Sequence, residues 1–299
     1  MLDYPALATL AAVVREGGFE RAAARLGVTP SAVSQRVRAL EERVGGILVV
    51  RGQPPVATGL GTRLIAHLER VRLLEGDLAP VVPPSDGAGP VRPTVRVAVN
   101  ADSLAAWFMP AAARFAAATD ALLDLALDDE GRTADRLRSG EVVAAVTADP
   151  VPVPGCRIRP LGSLRYVAVA SPGFHLRHFA DGVDAAALSR APILRFDGHD
   201  RLQDRWARER AGVDLDAPTH WVPSAQGFLE GALLGLGWAM NPLALAGPHL
   251  AAGRLVELLP GRPLDVPLHW QAVRLGAGLI DRLTRAVTVE ARARLVPPA

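Results

Sequence analysis

Ser31, Ser34, Gln35, Arg36 and Arg38 place hydroxyl, carboxamide and guanidinium groups in one short stretch of chain. A carboxamide or a guanidinium fork can read base edges, while hydroxyls and cations hold phosphate oxygens. At about 100° per residue on a helix, Ser31, Gln35, Arg38 and Glu42 share one face, with Ser34 and Arg36 beside it. Val33, Val37, Leu40 and Val44 form the face opposite. A merely solvated helix surface carries similar residues, so the chain in front of it matters. There, small alanines let a preceding helix cross closely, and Gly27-Val28-Thr29 supplies a tight turn. That order is a helix-turn-helix, whose later helix enters the major groove. Thr29, Pro30 and Ala32, at the start of the helix, then approach the DNA with the side chains named above. The segment "ILVVRGQPPVAT" that follows predicts a short β wing along the DNA backbone, with Arg51 and Thr58 as phosphate contacts.

The elements that position this surface can be read on either side of it. Leu7, Leu10 and Val14 mark one amphipathic helix ended by Gly17-Gly18. Phe19, Ala22, Ala23 and Leu26 mark a second, ended by Gly27. From Gly59 a longer helix carries Leu60, Leu64, Leu68, Val71, Leu74 and Leu78 as one stripe, which suits pairing with a second copy so that two heads meet two half-sites. The stretch "PVVPPSDGAGPVRP" then breaks all periodicity and reads as a linker. Beyond it, strands alternate with helices: Val95, Val97 and Val99, then Leu123, Leu125 and Leu127, then "VVAAV". A second set runs from "YVAVAS" through "PILRFD", "HWVPS" and "LVELL", and "PLHWQAVR" is placed to return to the first sheet. The alternation implies an α/β body with parallel sheets and crossover helices.

Composition bounds the class. The 299 residues suffice for two or three compact units, and 49% hydrophobic with 21% charged residues is a globular balance. No apolar run approaches the roughly 20 residues of a membrane-spanning helix, and the N-terminus has no leader pattern, so a cytoplasmic protein without membrane association is expected. Net charge is only +2, too little to establish a nucleic-acid partner, although every one of the 33 basic residues is arginine. Cys156, the single cysteine, excludes an internal disulfide and a cysteine-based zinc site.

Residues 1 to about 78 resemble the LysR-type transcriptional regulators, through "FERAAARLGVTPSAVSQRVRALEERVG", the "ILVVR" after it and the long helix. More narrowly, "RPTVRVAVNADSLAAWF", "DDEGRTADRLRSGEVVAAVT" and "PVPGCRIRPLG" are similar to the ArgP/LysG subgroup, which controls lysine and arginine export. The resemblance spans nearly the whole chain. It implies a winged helix-turn-helix domain at 1–58, a dimerisation helix at 59–79, a hinge linker at 80–93 and a two-lobed, periplasmic-binding-protein-like effector domain at 94–299. Lobe I would comprise about 94–165 and 268–299, and lobe II about 166–267. It also implies a homodimer or homotetramer on a double-stranded operator, contact with RNA polymerase, activation of an amino-acid exporter gene, no cofactor, and L-lysine or L-arginine as effector. A LysR-type regulator with a different effector, or a small-molecule-binding protein or enzyme without DNA activity, is the alternative.

Within the body, ligands of such folds sit beyond the carboxyl ends of strands. Asn100, Asp102 and Ser103 in "VNADS" occupy one such end, as plain helix caps or as partners for an amino acid's carboxylate and ammonium. Asp129 and Glu130 in "DDEG" occupy another, and a lysine or arginine cleft needs carboxylates because an unpaired cation is costly to desolvate. Trp107 falls one turn into the helix after Ser103, either as core or as a lid on an aliphatic stem or cation. Thr147, Ser224 and Gln226 end strands, as turn caps or cleft-wall donors. Nothing favours catalysis. The seven histidines are scattered, His175 and His178 lack nearby acids for a metal, and the Gly-x-Ser-x-Gly elbow, the P-loop and the dinucleotide fingerprint are missing from the sequence.

Overall fold

The computed structural model describes residues 2–78, 92–128 and 133–298. The head begins with helices α1 (Tyr4–Glu16), α2 (Phe19–Leu26) and α3 (Pro30–Val44). Their starts are fixed locally. Asp3 accepts from the Ala6 amide at 3.0 Å, Thr29 accepts from the Ala32 amide at 3.2 Å, and Pro5 and Pro30 fill first-turn positions that need no amide donor. Leu7, Leu10, Val33, Val37, Leu40 and Leu48 close a dry core, and Ala22 and Ala23 are buried where α2 meets its neighbours. The wing is a two-stranded ribbon, β1 (Val49–Val50) against β2 (Val56–Ala57), antiparallel with Val49 opposite Ala57. The Glu41 carboxylate on α3 secures it by accepting from the Leu48 amide at 2.8 Å and the Val49 amide at 3.3 Å.

Helix α4 (Gly59–Leu78) follows directly. Thr58 caps it, accepting from the Gly61 amide at 3.1 Å and donating to the Ile47 carbonyl at 2.8 Å. Gly61 is required by close approach: a Cβ there would stand 2.1 Å from the Leu48 carbonyl oxygen. Within one chain the leucines of α4 face different surroundings. Leu60 and Leu74 are exposed, whereas Leu68 is buried in the head core and Leu73 in the body core. Five residues of helix turn those two side chains to different sides, so α4 serves two cores.

The body continues through β3 (Thr94–Asn100), α5 (Ala101–Ser103), a π-helical turn at Leu104–Phe108, α6 (Met109–Ala117), β4 (Leu122–Asp128), α7 (Thr133–Ser139) and β5 (Ala144–Thr147). Next come β6 (Cys156–Ala170), α8 (Pro172–His178), α9 (Ala185–Arg190), β7 (Ile193–Arg195), α10 (Leu202–Trp206), a second π-helical turn at Ala207–Ala211 and β8 (Thr219–Trp221). The chain closes with α11 (Ala225–Leu233), β9 (Ala239–Pro242), α12 (Leu243–Ala251), β10 (Val256–Glu257), β11 (Leu264–Val273) and α13 (Gly278–Arg294). The main sheet runs β10-β6-β11-β5-β3-β4, with β9 also on β6. β3 pairs in parallel with β4 and β5, and β7 with β8, as the alternation predicts. The sheet is nevertheless mixed, because β6 is antiparallel to β11, β9 and β10. β11 does return to the first sheet, pairing β5.

Two contacts tie the layers together. Glu290 on α13 accepts from Arg114 on α6 at 2.8 and 3.0 Å and from Arg294 at 3.2 Å, and Trp270 donates to Thr284 at 3.0 Å. On the other side, α4 packs on α7 and α13. Gly140, after α7, has φ +78°, and a Cβ there would lie 2.6 Å from the Ala66 Cβ.

Candidate functional site

In the head, the capped start of α3 leaves Thr29, Pro30 and Ser31 exposed, together with Gln35, Arg36 and Arg38, while Ala32 and Ser34 are half-buried. Thr29 and Ser31 share a hydroxyl hydrogen bond of 3.0 Å, and Arg38 pairs with Glu42 at 3.1 Å one turn on. The face is therefore polar and cationic over its first turns, the end of a helix whose amides also favour anions. Arg51 on the wing lies over the Phe19 ring at 5.4 Å, which fixes an exposed guanidinium beside the head. Thr58 is committed to capping α4 by both of its bonds.

In the body, the carboxyl ends of the parallel strands β3 and β5 bring Asn100 and Thr147 to one edge. Asn100 and Ser103 are buried, and Asp102 between them is half-buried. The Tyr166 hydroxyl, on β6, donates to Asp102 Oδ2 at 2.8 Å. Tyr166 stands where β6 passes from pairing with β11 to pairing with β9, so this bond joins β6 to the helix start that follows β3. Burial pushes the Asp102 carboxyl up to about 6; the Tyr166 bond pulls it down, and the charge of Asp200 adds to the upward push. Asp200 lies in the loop between β7 and α10. It accepts from the Phe196 amide at 3.0 Å, the Leu202 amide at 3.1 Å and Gln203 Nε2 at 3.2 Å.

Several buried polar atoms in this region find no hydrogen-bond partner among the described residues: Ser103 Oγ, Trp107 Nε1, Gln203 Oε1, Trp238 Nε1 and Asn241 Nδ2. Such groups are costly to bury unpaired, and polar ligands satisfy them. Asn241 sits opposite Val167, next along β6 from Tyr166, and both α10 and β7 pack on its strand.

The residues singled out from the sequence are thus only partly gathered. Asn100, Asp102 and Ser103 stand together, and Trp107 is fully buried against Phe108 with its indole nitrogen unpaired. Thr147 is buried, its hydroxyl accepting from the Asp149 amide at 3.0 Å. Ser224 is an exposed cap of α11, accepting from the Gly227 amide at 3.1 Å, and Gln226 is exposed on that helix. Asp129 and Glu130, and most of the 80–93 linker, lie outside the described residues. Sequence reading missed Tyr166, Asp200, Gln203 and Asn241. Asp200 follows a strand end, as the chosen positions do, and Asn241 is a lone amide within an apolar run, so two of the four had a signal.

A winged helix-turn-helix joined through one helix to a two-lobed α/β body is the architecture of a LysR-type regulator, and the chain belongs to that family. Residues 5–69 match the bacterial regulatory helix-turn-helix protein, LysR family, and residues 88–294 match the LysR substrate binding domain. More particularly, it is 46% identical over 297 residues to the HTH-type transcriptional regulator ArgP of Pseudomonas aeruginosa, covering 99% of this chain and 98% of that one. The crystal structure of ArgP from Mycobacterium tuberculosis, 44% identical, superposes with a TM-score of 0.81 over 100% of both chains. Full-length LysG of Corynebacterium glutamicum with bound effector Arg, 38% identical, gives 0.71 over 99% of this chain and 100% of that one. The protein is a DNA-binding transcriptional regulator of the ArgP/LysG type and not an enzyme. No helix among the described residues is long and apolar enough to cross a membrane.

Proposed function

We propose that this regulator senses a basic amino acid, L-lysine or L-arginine, in the cleft between its lobes, and in response activates transcription of an amino-acid exporter gene. Asp102 carries the reading. It is a half-buried carboxylate whose ionised form is disfavoured by burial and by the charge of Asp200, with no cation bonded to it among the described residues. A site so built favours a ligand that brings positive charge, since the ligand's cation offsets the solvation that Asp102 loses on burial. Ser103, the next residue, adds a buried hydroxyl that finds no partner among the described residues. The arginine held by the Corynebacterium LysG supports the same class of effector. Thr29, Pro30, Ser31, Ala32, Ser34, Gln35, Arg36 and Arg38 form the operator-reading face, with Arg51 and Thr58 flanking it. A cytoplasmic homodimer or homotetramer presents two or more such faces to a partly palindromic site, and the effector alters their spacing and the contact with RNA polymerase.

Isothermal calorimetry of the full-length protein against L-lysine, L-arginine, L-histidine and norleucine tests the effector class. Saturable binding of cations and none of norleucine is expected. Equal binding of norleucine, or silence with all four, refutes the basic-amino-acid reading and leaves DNA binding untouched.

A further inference from the structure

We propose that the segment after α13 is a strap across the hinge of the body: Val296, paired with Ser163 on β6, holds the two parts of the main sheet at one relative setting without ligand, and its release lets them swing. The inference goes beyond the basic-effector reading and needs no particular effector.

The hinge follows from the strand pairing. Over His269–Ala272, β11 lies between β6 and β5, so the sheet there is continuous with β5, β3 and β4. From Tyr166 onward β6 carries β9 on one side, over Tyr166–Val169, and β10 on the other, at Val169 and Ala170. Between these ends, residues 161–165 of β6 and 265–268 of β11 have no further strand beside them among the described residues. A neck two strands wide bends more readily than the wider sheet at either end, and hinges are built from a few such residues. The irregularities of the ladder fall there as well. Leu268 pairs with Gly162 but His269 with Pro160, so Leu161 is an extra residue, and a bulge of this kind bends and twists its strand.

One contact crosses the neck from outside the sheet. The Ser163 amide donates to the Val296 carbonyl at 2.8 Å, and the Val296 amide donates back to the Ser163 carbonyl at 3.0 Å, an isolated antiparallel bridge. Ser163 faces Pro267 of β11 on its other side, so Val296 lies along the edge of β6 that β9 occupies three residues further on. Gly162 makes room for it: its φ is +122°, and a Cβ there would collide with the Val296 carbonyl oxygen. The strap is anchored at its other end. Leu295 is buried, and α13 before it is fastened to α6 through Glu290 and Arg114 and packs on the π-helical turn 104–108. Bending β6 at its bulge moves Ser163 against α13, which the pair with Val296 resists.

The test compares the whole chain with one ended after Leu295, which keeps α13 and loses the strap. Spin labels at Met109→Cys on α6 and Leu176→Cys on α8, both exposed, in a Cys156→Ala background and diluted with unlabelled protein, read the distance between the two parts within one chain without ligand. Pulsed electron resonance is expected to give one narrow distribution for the whole chain and a broader or displaced one for the shortened chain. Hydrogen exchange should show the Ser163 amide about tenfold less protected, with β3 and β9 unchanged. Val296→Pro removes the donor and keeps the acceptor, so its distribution should fall between the two, and it replaces the shortened chain if that chain fails to fold. Leu295 already has the extended backbone, φ −96° and ψ 155°, that a residue before proline prefers. An unchanged distribution overturns the proposal. So does broadening that comes with lost protection in β3 or β9, because that is general loosening. Either result leaves the basic-effector reading to its own calorimetry.

Discussion

Replacing Asp102 by Asn separates what the residue does for binding from what it costs the fold. In the ligand-free protein the carboxyl is raised from 3.8 to about 6, chiefly by burial. Each unit corresponds to about 1.4 kcal/mol, so ionising Asp102 costs the folded state up to roughly 3 kcal/mol, an upper figure because the side chain keeps some contact with water. The sign follows from the raised value: the neutral acid is fully favourable below 3.8, and that stability is lost as pH climbs through about 6. Asparagine is nearly the same shape, still accepts from Tyr166 and never ionises. Ligand-free Asp102→Asn is therefore expected to be more stable than the parent at pH 8, by about 1–3 kcal/mol or roughly 2–8 °C in melting temperature, with the gap closing towards pH 4. All five tryptophans lie beyond residue 100, so intrinsic fluorescence reports the body and not the head. A variant no more stable than the parent at pH 8, or one whose advantage does not shrink with acid, refutes the reasoning. The same variant should bind arginine more weakly at pH 8, a trade of function against stability.

Three other perturbations probe separate parts of the molecule. Arg38 and Glu42 are both well exposed, so Arg38→Ala should change stability by less than about 0.5 kcal/mol, yet weaken operator binding by about 1–3 kcal/mol, read by titration at several salt concentrations; unchanged operator affinity and salt slope would remove Arg38 from the reading face. Gly140→Ala should cost at least about 1–2 kcal/mol in urea unfolding, since it adds a methyl against Ala66 at a left-handed position, and Ala66→Gly in the same chain should recover the steric part alone. Glu290→Gln should lower the melting temperature at pH 7; Arg114 and Arg294 hold its carboxyl below the ordinary 4.5, so that stability is present above 4.5 and the parent loses its advantage as pH falls through the lowered value.

The head was legible because its determinants are local. Caps at Asp3 and Thr29, prolines at first turns and a three-to-four spacing of apolar residues each act within one or two turns of chain. The cleft was only half legible. Asn100, Asp102 and Ser103 follow a strand and announce themselves, but the hydroxyl bonded to Asp102 comes from β6 and the charge acting on it from the loop after β7, and no local rule ties Tyr166 and Asp200 to Asp102. Tyr166 lies in "RYVAVAS", which reads as an ordinary core strand. The mixed sheet escaped for a related reason: β6 has the composition of a buried parallel strand, and only its long pairing with β11 sets its direction. Ser224 stands at a helix start, as the sequence placed it, and caps α11 through the Gly227 amide.

The division of α4 between two cores has a consequence for dissecting the protein. Leu68 completes the hydrophobic interior of the head, and Leu73 that of the body. A head fragment ended at 58 loses the plug that Leu68 supplies, and a body fragment begun at 94 leaves open the socket that Leu73 fills. Cutting between 68 and 73 keeps each plug with its own interior but breaks the helix in the middle, where it has no cap. Head and body are thus joined as a mortise and tenon are joined, and a fragment of either is best made with α4 kept whole.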